Sequence, residues 1–280
     1  GLTGLEKYYN RYLSGINGRW ITSKDNKKNS LVYGTNKYYS ATDGYTIVTT
    51  IDQTIQQIVE DKIAENIAWD NADRVSVIIM DPNNGDILAM AQTDKFNPND
   101  PRAPKEGDEE AFAQMTDEEK FIYWNSRWRA FNTSDVYEPG SVFKLVTTAI
   151  ALDEGVTNIN DHFYCGGATT VRGRFIKCWN YPAAHGNIDL AHALFYSCNV
   201  TMTQLMSRMG KDAYYAGLER FGLLEKTGVD FPGEGENLIY SKSEAGEVEL
   251  ATMSFGQSFQ ISPIRLLTCA ASLINGGKSR

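Results

Sequence analysis

The sequence predicts an α+β fold, an antiparallel sheet joined to a helical subdomain. Three observations carry that expectation. Two apolar runs, at residues 75–80 and 86–91, flank a turn containing Asn84 and Gly85. Asn-Gly between apolar runs is the strongest short-range hairpin signal. Apolar residues recur at helical spacing in several segments after residue 141. The strand signals precede these helices instead of alternating with them, which favours segregated sheet and helix over a parallel βα arrangement.

Residues 1–44 are polar and rich in Tyr, Asn and Lys. They read as the end of a connecting or pedestal segment, with a short helix from Gly4 to Leu13 and strand-like pieces at 20–23 and 30–33. The main domain is expected from Tyr45 to Arg280. Tyr45, Ile47, Thr49 and Ile51 lie in a β-branched, alternating run, so 45–51 is expected to be a strand. Asp52 is placed to cap a following helix, where Ile55, Ile58, Val59, Ile63 and Ile67 recur at helical spacing. Residues 93–138 are polar, acidic around 106–110, and expected as a long loop with one helix near 117–128. A loop of that length is usually functional or mobile. Residues 155–188 are Gly-rich and expected to be irregular. Helices are expected at 190–209, interrupted near Ser197, at 212–221 and at 263–274. A turn at Gly256-Gln257 precedes the last one.

Composition narrows the function classes. The net charge of −8 over 280 residues and a pI near 5.0 argue against a nucleic-acid partner. No window approaches the ~18 apolar residues of a membrane span. With no initiator Met and no signal peptide at Gly1, the chain reads as an excised soluble part of something longer. Four cysteines do not make a disulfide-dense scaffold.

Ser141 and Lys144 follow Glu138-Pro139-Gly140 at an expected helix start. The three-residue spacing puts both side chains on one face of the first turn. A serine hydroxyl needs a base within reach, and a desolvated lysine can be that base. Pro139 suits a helix entry, and Gly140 permits close backbone approach to a substrate. Fifty-six residues on lie Ser197 and Asn199, which can reach a cleft together only from a loop tip between helices. There the serine can relay a proton and the amide can hold both a lysine and a carbonyl.

Together these elements resemble the Ser-x-x-Lys and Ser-x-Asn motifs of penicillin-binding proteins and serine β-lactamases. The stretches from Asp81 to Met90, Tyr137 to Ser141, Gly228 to Glu234 and Ser254 to Gln257 are similar to class B penicillin-binding proteins, the monofunctional peptidoglycan transpeptidases. The likeness runs over nearly the whole chain and is greatest to the Gram-positive division and sporulation branch. It implies the transpeptidase fold and an acyl-enzyme on Ser141, formed from a stem peptide ending in D-Ala-D-Ala. Lys144 would take the serine proton, and Ser197 would return a proton to the leaving amine. Asn199 would hold the substrate amide and Lys144. The Ser141 N–H would supply half of an oxyanion hole. Gly140, Tyr137 and Gln257 are the expected substrate-binding residues.

β-Lactams would acylate the same serine. Stem peptides and a membrane glycosyltransferase are the implied partners. The implied location is the extracytoplasmic face of a bacterial membrane, through an N-terminal anchor outside this sequence. Alternatives within the fold are a non-catalytic β-lactam sensor or scaffold, and a D,D-carboxypeptidase or β-lactamase. The family's third motif, Lys-Thr/Ser-Gly on a cleft strand, has one match here, Lys226-Thr227-Gly228. Its context fits a different family segment, so the catalytic copy and the C-terminal strands are expected beyond Arg280.

Catalysis by this resemblance needs no cofactor. A structural Zn2+ is suggested by Asp161, Cys165, Cys178 and His185, which could form a tetrahedral set in a loop with little core. A Cys165–Cys178 disulfide and free thiols are the alternatives. His162 is a competing ligand, and Cys198 is either a ligand or a small buried residue. Cys269 is expected in the core and His192 on the surface.

Overall fold

The computed structural model describes residues 3–23 and 36–278. Two compact units are distinguished: Gly1–Thr50 with Asp230–Pro232, and Ile51–Val229 with Gly233–Arg280.

In the first unit, helices α1 (Gly4–Tyr8) and α2 (Asn10–Leu13) break the expected single helix at Tyr9. Strands β1 (Arg19–Thr22) and β2 (Asn36–Tyr39) pair antiparallel. The piece expected at 30–33 lies outside the described residues. Residues 45–50 form no strand, contrary to expectation. β-Propensity needs a partner strand and a face to bury, and here Tyr45 is 75% and Val48 92% exposed.

The second unit begins with α3 (Gln53–Asp70). The Asp52 carboxylate caps it, accepting from the N–H groups of Thr54 at 2.8 Å and Ile55 at 2.9 Å. Val59 and Ile63 of α3 pack onto Ala89 and Ala91 of the expected hairpin, β3 (Ser76–Met80) and β4 (Ile87–Gln92). The 93–138 segment carries three short helices, α4 (Glu109–Gln114), α5 (Asp117–Trp128) and α6 (Phe131–Ser134). Helix α5 is the expected one, started by a capping box between Thr116 and Glu119.

A 3-10 turn (Gly140–Phe143) runs into α7 (Lys144–Asp153). The Gly-rich stretch is more regular than expected. It forms two small antiparallel sheets, β5 (His162–Cys165) with β8 (Gly186–Asp189), and β6 (Ala168–Val171) with β7 (Arg174–Lys177). Each strand is four residues long, too short for a periodic signal to stand out. Helices α8 (Leu190–Phe195) and α9 (Asn199–Arg220) flank a break at 196–198, and Gly210 kinks α9 where two helices were expected. Then come α10 (Glu247–Met253) and α11 (Pro263–Ile274), the latter capped by the Ser262 hydroxyl.

The core is built around α7 and α9. Phe143, Val146 and Ile150 face Met202, Leu205 and Leu218, all buried. Gly217 is required by this packing, because a Cβ there would lie 2.3 Å from Ile150 Cγ2. Among the described residues every strand pair is antiparallel, in keeping with the α+β expectation. No helix among the described residues is long and apolar enough to cross a membrane.

Candidate active site

Ser141 and Lys144 sit across the 3-10 turn instead of a regular α-helical turn. With three residues per turn, positions i and i+3 eclipse, and this aligns the two side chains. Lys144 Nζ is 3.1 Å from Ser141 Oγ. Phe143, between them in sequence, is buried edge-on against Phe259, with ring centroids 4.7 Å apart, so the turn is anchored from below.

The opposite wall is the break between α8 and α9. Ser197 adopts a left-handed backbone, φ 50°. Its hydroxyl lies 2.7 Å from Lys144 Nζ and 2.9 Å from Ser141 Oγ, and its carbonyl accepts from Lys144 at 2.8 Å. The three groups close a hydrogen-bonded triangle. Ser141 Oγ, Ser197 O and Ser197 Oγ together occupy the three donors of the ammonium.

Lys144 is 2% exposed. Desolvation pulls its pKa down to about 8, against opposing contributions from Cys178 and Cys198. At pH 7 about a tenth of the molecules then carry the neutral amine, a usable base.

A third segment completes the floor. Gly140 N–H donates to Gly256 O at 2.9 Å, and Ser258 N–H donates to the Glu138 carboxylate at 2.8 Å. Gly256 has φ 85°, and a Cβ there would meet the Gly140 carbonyl oxygen at 2.0 Å. Gln257 is exposed beside this contact. Tyr137 pairs through its backbone with Ile261, and burial raises its phenol pKa.

Two expectations need correction. The Asn199 amide donates to the Lys177 carbonyl at 3.2 Å, while Ser197 takes up the ammonium donors expected to meet Asn199. As the first residue of α9, Asn199 is turned toward the end of β7. Asp161 is not with the cysteines. It accepts from Thr157 at 3.0 Å and Asn158 at 2.6 Å and pairs with Arg208 at 3.2 Å. These contacts, the Thr157 hydroxyl foremost, lower its pKa.

The cysteine cluster is Cys165, Cys178, His185 and Cys198, whose ligand atoms all lie within 4.8 Å of one another. Cys198, by sequence either a ligand or a small buried residue, takes the place of Asp161 in this cluster. The four come from β5, the end of β7, the loop before β8 and the Ser197 break, which no sequence spacing could align. Cys178 Sγ is 3.9 Å from Cys198 Sγ and 3.6 Å from His185 Nδ1. Burial pushes the Cys198 thiol up to about 12. Burial acts on Cys178 in the same direction, but N–H groups of Asn180 and Asn199 and the neighbouring thiols outweigh it and leave that thiol below its usual value. All four cysteines are free thiols. His162 binds the Asn160 carbonyl, His192 pairs with Asp189 on the surface, and Cys269 is buried in the core. In Lys226-Thr227-Gly228, the N–H groups of Thr227 and Gly228 are held by Glu234 in a loop, not on a cleft strand.

Residues 75–280 match the family model of the penicillin binding protein transpeptidase domain. Stage V sporulation protein D of Bacillus subtilis is 32% identical over 278 residues, covering 99% of this chain and 40% of that protein. Peptidoglycan D,D-transpeptidase FtsI of Escherichia coli is 28% identical, covering 98% of this chain and 42% of that protein. The chain thus spans about two fifths of the length of these curated relatives. Among solved structures, Penicillin Binding Protein 2X from Streptococcus thermophilus aligns with a TM-score of 0.78 at 25% identity, over 99% of this chain and 38% of that one. A putative peptidoglycan glycosyltransferase from Atopobium parvulum aligns with a TM-score of 0.78 at 25% identity, over 100% of this chain and 61% of that one.

Proposed function

Because the chain belongs to the penicillin-binding protein transpeptidase family, we propose that it is the catalytic part of a peptidoglycan D,D-transpeptidase with Ser141 as nucleophile. The carrying observation is the Ser141–Lys144–Ser197 triangle. Neutral Lys144 takes the Ser141 proton as Oγ bonds to the carbonyl carbon of the penultimate D-alanine of a stem peptide. The tetrahedral intermediate collapses by breaking the C–N bond to the terminal D-alanine. A proton passes from Lys144 through the Ser197 hydroxyl to that amine. An amine of a second stem peptide then attacks the ester, and the same groups run in reverse to release Ser141. Asn199, tied to Lys177, is left to offer its carbonyl oxygen to the substrate amide. Gly140, Tyr137 and Gln257 border the same site. β-Lactams would open on Ser141 and remain as the ester.

The names of the relatives support a role in the cell wall, with sporulation favoured by the 32% identity to the Bacillus protein. Cross-linking needs polymerised glycan, which motivates a glycosyltransferase partner and an extracytoplasmic location.

The cysteine cluster supports a structural Zn2+ held by Cys165, Cys178, His185 and Cys198. Tetrahedral zinc with Zn–S of about 2.3 Å and Zn–N of about 2.0 Å separates two sulfurs by about 3.8 Å and sulfur from nitrogen by about 3.5 Å. The separations here are 3.9 and 3.6 Å. His185 Nδ1 is the nitrogen that faces Cys178 Sγ and would be the ligand, while Nε2 is buried without a hydrogen-bond partner among the described residues. The ion would supply no chemistry to acyl transfer; it would staple β5, β7 and the Ser197 loop.

Fluorescent penicillin applied to the full-length protein, followed by peptide mass mapping, tests the function. The expected result is one stable adduct on Ser141 that the Ser141→Ala variant lacks. No adduct would remove the acyl-transfer reading. Rapid release of the adduct would favour a β-lactamase, and a lasting adduct without cross-linking in a reconstituted assay would favour a sensor.

A further inference from the structure

Ser197 carries an unusual burden. It is a non-glycine residue in the left-handed region, where the Cβ crowds the following carbonyl oxygen. Its hydroxyl must nevertheless stay within reach of both Ser141 and Lys144. Such strain persists only where the surroundings over-determine it.

The two peptide planes that flank Ser197 are each held at both ends. In the plane after it, the Ser197 carbonyl accepts from Lys144 at 2.8 Å and Cys198 N–H donates to Ala193 O at 2.8 Å. In the plane before it, Ser197 N–H donates to Leu194 O at 2.9 Å. The fourth hold is the Tyr196 carbonyl, which accepts from the indole Nε1–H of Trp179 at 2.6 Å. Three of these four are supplied by α8, through the Ala193 and Leu194 carbonyls, and by Lys144. Only the fourth comes from the segment just past β7.

Trp179 is 64% exposed, so burial of its ring is a poor explanation for its position. Its immediate neighbours are committed to the same loop. The Lys177 carbonyl takes the Asn199 amide, and the Asn199 N–H reaches the Cys178 sulfur. Residues 177–179 therefore strap the Ser197–Asn199 break from outside.

We propose that Trp179 is a positioning residue for acyl transfer: its indole N–H fixes the Tyr196 peptide and thereby holds Ser197 in the left-handed conformation that points its hydroxyl at Ser141 and Lys144. The inference rests on the acyl-transfer reading of the site. It differs from a packing role in depending on one N–H and not on the ring's bulk.

The test compares Trp179→Phe and Trp179→His in the full-length protein. Phenylalanine keeps an aromatic ring and removes the donor. The imidazole overlays the five-membered ring of the indole and puts Nε2–H where Nε1–H was. Acylation by a fluorescent penicillin is followed across ligand concentration, giving a maximal rate and a half-saturation point, with melting temperature measured alongside. Trp179→Phe is expected to acylate about ten- to a hundredfold more slowly at saturation, the scale for a misplaced catalytic group, with half-saturation and melting little changed. Trp179→His is expected to recover most of the rate. Equal rates for wild type and Trp179→Phe would overturn the proposal, as would equal slowing in both variants. If Trp179→Phe does not fold, a Trp179→His variant that folds with the slow rate also overturns it. A wild type that takes no label at all removes the acyl-transfer reading and this inference together, whereas loss of the Trp179 effect in a labelling protein removes this inference alone.

Discussion

The hydroxyls of Ser141 and Ser197, 56 residues apart in sequence, lie 2.9 Å apart in the fold, and Lys144 Nζ touches both. One serine stands on a 3-10 turn and the other on a strained break between helices. In the proposed mechanism the nucleophile, its base and a proton relay are therefore assembled before any substrate arrives, which lowers the reorganisation needed at the moment of reaction.

Acylation should rise with pH and level off above about 8, where desolvation places Lys144. The active form is the neutral amine, which accumulates as pH climbs through that value. Labelling rates between about pH 6 and pH 10 check this; a flat profile would count against Lys144 as the base.

Lys144→Met should separate activity from stability. The lysine pKa is lowered on folding, so between about 8 and 10.5 the unfolded chain binds more protons, and wild-type stability rises with pH across that window. The burden of a buried ammonium is greatest below it. Methionine removes that burden at neutral pH, so the variant should melt no lower than wild type while acylating about 10²–10⁴-fold more slowly. A large drop in melting temperature would show that the ammonium's hydrogen bonds outweigh its desolvation.

Ser197→Gly and Ser197→Ala should diverge in stability but not in activity. Both lose the relay hydroxyl and should acylate about a hundredfold more slowly. Glycine relieves the φ of 50° and alanine does not, so the glycine variant should be the more stable by about 1 kcal/mol. Denaturant midpoints decide it.

Gly256→Ala should disable the site without touching a reacting atom. Its Cβ would meet the backbone oxygen of Gly140 at 2.0 Å, and backbone cannot swing aside as a side chain can. A loss of roughly 2–3 kcal/mol in stability, or a comparable fall in acylation, is expected. Wild-type behaviour in both would mean that the Gly140–Gly256 contact is dispensable.

Elemental analysis of the purified protein should find one zinc per chain. Asp161→Asn should retain it and Cys198→Ala should lose it, with a lower melting temperature in the second case only. Zinc near zero in the wild type, under conditions that do not strip metal, would exclude the ion. Loss of zinc with Asp161→Asn would restore the ligand set suggested by sequence spacing.

Local signals carried a large share of this protein. Asn84-Gly85 between apolar runs marked the hairpin, Asp52 marked the start of α3, and the helix expected from Pro263 is α11. The Ser141–Lys144 and Ser197–Asn199 elements pointed to the candidate site by their resemblance to a known pair of motifs, although Asn199 turns to Lys177 and the triangle itself joins residues 56 apart. Propensity misled at 45–50, where a β-branched run finds no partner and stays exposed. It was silent at β5–β8, where pairs of four-residue strands are stabilised by each other and not by their own periodicity.

The sequence by itself determined α3, α5, α7 and α11, the hairpin, and which serine and lysine stand one turn apart, since these follow from contacts within a few residues. Only the tertiary structure decided that Lys144 is desolvated by the walls around it. It likewise replaced Asp161 by Cys198 in the cysteine cluster, turned Asn199 to Lys177, and brought Trp179 to the Tyr196 carbonyl. Those facts depend on burial and on contacts between distant segments, and neither has a local signature in the chain.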